Sequence, residues 1–216
     1  GSEMCIRDRY NIRIDVIIWD TYDSRHAIKG RDDEANFERM FFHLLKTSLK
    51  KRPKNSSWNV FPDQRHGIDW DIVHDCLKSV GTHREYHKTL FGDFFTDPYY
   101  KIDKFIEIDS SKTPCCQIAD LFAGISVFSI NHYKEYRNWK ERKGSSLFEK
   151  EEVKFTNSEE VRFKVMQHLD KRCKELKLGV SLKSKRCFLT FNPQNPINFW
   201  HYTPQHKNDK APRKFN

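Results

Sequence analysis

Asn11-Ile12-Arg13-Ile14-Asp15-Val16-Ile17-Ile18-Trp19 sets apolar residues in alternation, with Ile12, Ile14, Val16 and Ile18 on one side. A period of two in β-branched residues predicts a strand. Working outward, Asp20 to Gly30 is polar and reads as a loop. Arg31-Asp32-Asp33-Glu34 then opens a helix, with acidic residues suited to the positive end of its dipole. Phe37, Met40, Phe41, Leu44, Ser48 and Leu49 form its inward stripe, and Pro53 stops it. Ser57 to Phe61 predicts a second strand, ended by Pro62, with Asp63 just past its end. Asp69 is a good N-cap for a helix to about Val80, with Ile68 stapled onto Val73 and Gly81 closing it. Thr82 to Lys101 reads as a loop, and Phe105 to Asp109 as a third strand. Gln117 to about Asn138 predicts a long helix with Ile118, Leu121, Phe122, Ile125 and Phe128 inward. Asn157 and Glu160 make a capping-box-like start for a last helix, lined by Val161, Val165, Leu169, Cys173 and Leu176. Gly179 ends it, Arg186 to Phe191 is a further strand, and Asn198 to Tyr202 is a short segment that packs back. Strands alternating with helices imply an α/β fold with a largely parallel sheet.

The chain of 216 residues is long enough for one domain with a real core. Its 37% hydrophobic content is low, but 17 Phe predict an aromatic-rich core and argue against disorder of the whole. No run approaches twenty uninterrupted apolar residues, so no transmembrane helix is expected. No secretion signal, heptad or fixed repeat is visible. The six Cys have no paired spacing, so reduced thiols in a cytoplasmic protein are expected. Lys and Arg number 39 against 30 Asp and Glu, a net of +9, which favours phosphate-rich partners such as nucleic acid. Many soluble proteins are equally basic without such partners. The tail from Gln205 carries Lys207, Lys210, Arg213 and Lys214 with little apolar content, and residues 205–216 are expected to be disordered.

Met4-Cys5-Ile6-Arg7-Asp8-Arg9 resembles the translated end of a transposase adapter used in shotgun sequencing. Residues 1–9 are therefore left out of the fold argument, and a natural beginning upstream of about Tyr10 is expected to be missing. Residues 10–204 are then one domain, with a helical extension from about residue 139.

Two carboxylates stand out by position. Asp63 follows a strand at its C-terminal end, where open α/β sheets place ligands, although a turn-forming loop Asp fits the same position. Asp120 lies one turn into an apolar helix, with Ala123 and Gly124 at i+3 and i+4. A mid-helix Gly costs about 1 kcal/mol relative to Ala, so something should offset it. Room for a metal or a substrate beside Asp120 would do so, as would close helix–sheet packing at Gly124. Together the two carboxylates suit Mg²⁺ or Mn²⁺, and a third ligand is needed. Lys112, Arg25 and His26 are candidate phosphate contacts, against the plainer readings of a solvated lysine and a turn. His66, His74, His83 and His87 match no zinc-ligand spacing. Aromatic and basic residues from Tyr133 to Lys143 could stack on single-stranded bases or form a solvated helix end.

Asp109-Ser110-Ser111-Lys112 followed by Gln117-Ile118-Ala119-Asp120-Leu121-Phe122-Ala123-Gly124 resembles the C-terminal signature of the domain of unknown function 3800 family. The resemblance covers roughly Tyr10 to Asn138. It implies an RNase H-like mixed sheet flanked by helices, with the first two strands missing here. The family's opening Asp-Glu-x-Gly strand, a metal-ligand position, has no counterpart in this chain. The resemblance implies a Mg²⁺- or Mn²⁺-dependent nuclease with Asp63 and Asp120 as ligands. Two other classes fit the same residues: a nucleic-acid-binding module without catalysis, and a protein-interaction adaptor in a defence or mobile-element system.

Overall fold

The computed structural model describes residues 12–20, 32–84, 86–89, 92–142, 154–183 and 186–202. The expected adapter-derived segment 1–9 and the basic tail 205–216 lie outside the described residues. In chain order the elements are β1 (Ile14–Ile18), α1 (Asp33–Lys50), β2 (Ser56–Val60), α2 (Trp70–Thr82), β3 (Tyr86–Thr89), β4 (Gly92–Phe95) and β5 (Tyr100–Phe105). They continue with a single 3₁₀ turn (Ser110–Lys112), α3 (Pro114–Asn131), α4 (Tyr133–Arg142), α5 (Asn157–Glu175), β6 (Val180–Ser181), β7 (Leu189–Thr190) and β8 (Ile197–His201). The fold is mixed α/β. Among the described residues the strands pair two by two: β1 with β8 and β2 with β5 in parallel, β3 with β4 and β6 with β7 antiparallel. The chain divides into two compact units, Trp19–Gln117 with Tyr202–Asn216, and Gly1–Ile18 with Ile118–His201.

In the Trp19–Gln117 unit, Asp32 caps α1 by accepting the Ala35 N–H at 2.9 Å. Asp69 caps α2 by accepting the N–H groups of Asp71 and Ile72, both at 3.1 Å. Its core joins Trp70, Val73 and Leu77 of α2 to Phe37, Phe41 and Phe42 of α1 and to Ile102 and Phe105 of β5. Ile68 also packs on this cluster, as the staple onto Val73 requires. Trp70 meets Phe41 edge-on at 4.8 Å between ring centres, a geometry in which ring quadrupoles attract.

The sequence reading has Gly81 closing α2. It lies inside the last helical turn instead, and His83 is the C-cap. Its role is close approach: a Cβ there would stand 2.5 Å from Tyr100 Cε2 and 2.7 Å from the Tyr100 carbonyl oxygen. The segment read as a loop from Thr82 to Lys101 contains the β3–β4 hairpin, with Tyr86 opposite Phe95 and their rings 5.3 Å apart. Gly92, at φ +124, begins the second strand of that hairpin. The next strand starts at Tyr100, five residues before the sequence reading placed it.

In the other unit, Val16 on β1 and Phe199 on β8 are partners in the parallel ladder and belong to one core cluster. The segment Asn198 to Tyr202 thus contributes a strand partner for β1. Phe163 of α5 is the centre of an aromatic group, with Phe128, Tyr136, Trp139 and Phe155 all within 6.0 Å between ring centres. Ser129 ties α3 to β7's approach: its hydroxyl donates to the Ser126 carbonyl at 2.7 Å and accepts the Phe188 N–H at 3.2 Å.

Several inward stripes are corrected. The long helix breaks at His132 into α3 and α4. Ile118 and Leu121 of α3 are 48% and 60% exposed, whereas Ile125 is buried. The face of α5 that is buried carries Phe163, Met166, Asp170 and Cys173, while Val161, Val165 and Leu176 are exposed. Its capping box is one residue earlier than expected, with Thr156 and Glu159 exchanging side-chain and backbone hydrogen bonds. α3, at 18 residues and a mean hydropathy of 1.2, is long and apolar enough to cross a membrane by length and composition alone. Core helices of soluble proteins can pass the same threshold.

Candidate functional site

The parallel ladder of β2 and β5 does not stop at the named strands. The N–H of Ile106 donates to the Val60 carbonyl at 3.0 Å, that of Ile108 to Pro62 at 2.9 Å, and that of Gln64 to Ile108 at 3.0 Å. Pro62 has no N–H to donate, but its carbonyl still accepts, so the pairing carries on to a bridge between Asp63 and Ile108. Asp63 and Asp109 therefore both emerge at the C-terminal end of one parallel strand pair. That is the side on which open α/β sheets hold ligands.

The chain turns sharply there. Asp109 caps the 3₁₀ turn, its Oδ1 accepting from the Ser111 N–H at 3.0 Å and from the Ser111 hydroxyl at 2.6 Å. Asp63 reaches across to the same turn, with its Oδ1 accepting the Ser110 N–H at 3.1 Å. Lys112 Nζ lies 2.8 Å from Asp109 Oδ2, although the lysine is 81% exposed. The Gln117 side-chain amide donates to the Ser111 carbonyl at 3.0 Å and fastens the turn to the start of α3. Pro114 opens that helix at the first position, where a missing N–H leaves nothing unpaired. The result is an exposed, charge-bearing turn held by two aspartates.

Lys112 holds the Asp109 carboxyl below its usual range, and the hydrogen bonds from Ser111 add to the effect. Both oxygens of Asp109 are engaged within the turn. Among the described residues Asp63 engages only Oδ1 in this way, and as a hard oxygen donor on an exposed edge it suits a divalent cation. No group of three His, Cys, Asp or Glu side chains placed to hold a metal ion occurs among the described residues.

Asp63, Lys112 and the turn belong to the Trp19–Gln117 unit, and Asp120 belongs to the other. Asp120 is exposed on α3, one turn beyond Gln117. Among the described residues, nothing beyond its own helix backbone and chain neighbours lies within 4 Å of where a Cβ on Gly124 would be, so close packing there does not explain it. Arg25 and His26 lie outside the described residues. Asp15 is engaged structurally: Arg13 grips both its oxygens at 2.7 and 2.9 Å, and the Asn198 amide donates to it at 2.9 Å. The idea that aromatics between Tyr133 and Lys143 stack on bases is corrected for Tyr136 and Trp139, which are buried against Phe163.

Sequence reasoning gave Asp109 no role of its own. The signal was present, because Asp followed by Ser-Ser after a strand is a composition that turns the chain through side-chain-to-backbone hydrogen bonds. A separate open cavity of about 400 Å³ in the same unit is lined by Asp69, Asp71 and Glu107 at the start of α2.

Fold and site together define a mixed α/β protein with an aspartate-bound, lysine-bearing turn at the C-terminal edge of a parallel strand pair. The chain is 38% identical over 203 residues to "Uncharacterized protein ORF2'" of Methanothermobacter thermautotrophicus, covering 93% of this chain and 68% of that protein. It is 36% identical over 204 residues to "Uncharacterized protein ORF2" of the same organism, covering 94% and 68%. The chain belongs to the family of these proteins. No family model matches it. No solved structure matches it.

Proposed function

We propose that this protein is a nuclease-like member of the RNase H-like superfamily that hydrolyses phosphodiesters with Mg²⁺ or Mn²⁺. The observation that carries the reading is the emergence of Asp63 and the Asp109–Lys112 turn at the C-terminal ends of adjacent parallel strands. When bound, a divalent ion supplies Lewis-acid stabilisation of phosphate charge. Asp63 is the proposed ligand on this edge. Asp120 is a second proposed ligand, carried from the resemblance. The Ser110–Lys112 turn positions Lys112, whose ammonium is exchanged from Asp109 to a phosphate oxygen when substrate arrives. Asp109 and Asp63 keep the turn in place during that exchange.

The test is cleavage of end-labelled single-stranded DNA, duplex DNA and RNA with Mn²⁺ or Mg²⁺ and in chelator. Asp63→Asn and Asp120→Asn are each expected to lower cleavage by about 100-fold or more, an electrostatic loss typical of catalytic groups. Their circular dichroism should match the parent's. Full activity in both variants overturns the reading. The second reading is a nucleic-acid-binding module without catalysis, which the net charge of +9 favours. Salt-sensitive nucleic-acid binding in chelator, with no cleavage under any metal, selects that second reading of a non-catalytic binding module.

A further inference from the structure

We infer that the groove between α4 and α5 binds the sugar-phosphate backbone of nucleic acid. This rests on nucleic acid being the substrate class proposed above, but it does not require cleavage. The groove has a volume of about 700 Å³, and its walls include Lys140 from α4 and Lys164, His168, Lys171 and Lys174 from α5. Positions 164, 168 and 171 are spaced i, i+4, i+7, so their side chains share one face of the helix. From Lys164 to Lys174 the helix rises about 15 Å. Successive phosphates of one duplex strand lie about 3.4 Å apart along the axis, so such a stripe spans about four of them.

The charges in the groove are arranged to stay cationic at its rim. Asp170 is buried and pairs with Lys174, which fixes that ammonium beside the groove. Glu175 is engaged by Arg172 at 2.7 Å, with Lys171 further away at 3.7 Å. Lys140 and Lys164 are exposed and form no ion pair among the described residues. The two helices that carry these lysines are held together by Tyr136, Trp139 and Phe163, packed ring against ring. A rigid cationic stripe of regular spacing suits a regular polyanion.

The experiment is fluorescence anisotropy with a labelled DNA duplex of about 20 base pairs, in chelator, across a salt series. Four lysine contacts predict a log–log salt slope of about −3 to −4, and roughly 100-fold weaker binding at 200 mM than at 50 mM salt. Lys164→Gln combined with Lys171→Gln should reduce the slope to about −2 and weaken binding at low salt by at least about tenfold. Lys174 is left intact, since its removal would strand the buried Asp170. A double variant with unchanged slope and affinity overturns the inference, provided its circular dichroism and melting match the parent's. Absence of duplex binding at low salt overturns it too, as does lysine-dependent uptake only by phosphatidylserine vesicles. Gly124→Ala, a substitution into open space on α3, serves as the control and should bind the duplex as the parent does. Lost cleavage with intact groove binding, or the reverse, separates failure of the nuclease reading from failure of this one.

Discussion

Asp109 shows how much a single side chain can settle. Its carboxylate is held below the ordinary range first by Lys112 and then by Ser111. A carboxyl whose folded pKa is depressed stabilises the fold at pH above its unfolded value, and that contribution is lost as pH falls through the folded value. The Ser110–Lys112 turn is therefore expected to stay ordered at neutral pH and to loosen on acidification below the ordinary aspartate value of 3.8. Carboxyl ¹³C titration by NMR should give Asp109 a midpoint under 3.8, moving upward in Ser111→Ala. An unshifted midpoint in both would refute the hydrogen bonds described. Two glycines give a paired expectation. Gly81→Ala forces a methyl against Tyr100 and should cost about 1–3 kcal/mol in urea unfolding, as overpacking does. Gly124→Ala meets open space in mid-helix and should stabilise by about 0.4–1 kcal/mol. Equal effects from the two would contradict the packing.

Helix starts were largely legible because a cap is a local contract between one side chain and nearby N–H groups. Asp69 is readable from sequence as a cap and does cap, and Asp32 caps α1 within the acidic stretch that marks its start. At α5 the reading chose Asn157 and Glu160, but Thr156 and Glu159 satisfy the same spacing and close the box. Thr156→Ala is expected to cost about 1 kcal/mol, seen as a lower urea midpoint with unchanged slope. No change in midpoint would show the cap to be idle. Helix faces were less legible. Val161, Val165 and Leu176 form a good apolar stripe, yet the buried face carries Phe163 and Met166, since large aromatic and sulfur side chains fill more of the core. Phe163→Ala should cost about 3–5 kcal/mol, because four rings lose their shared neighbour. The β3–β4 hairpin was hidden because its strands are four residues each, too short for alternation to stand out.

Long-range pairing separates what the chain announces from what it conceals. The β1–β8 ladder joins Ile14 to Ile197, and no local pattern states that distance. The same holds for the bridge from Asp63 to Ile108, which turns a residue after a proline into part of a parallel edge. Asp63 could be picked as a carboxylate beyond a strand, but its hydrogen bond to Ser110 could not. The cationic face of α5, with Lys164, His168 and Lys171 at helical spacing, is not picked out by the sequence reading, and only the fold sets Lys140 beside it. The central claim is that the β2–β5 edge handles phosphate with a divalent ion at Asp63. The most direct measurement is substoichiometric Mn²⁺ titration of the ¹⁵N-labelled chain, reading paramagnetic broadening of backbone amides. The account predicts selective broadening at Asp63 and Ser110 to Lys112, abolished in Asp63→Asn. Broadening confined to Asp69, Asp71 and Glu107, or unchanged in the variant, would contradict it.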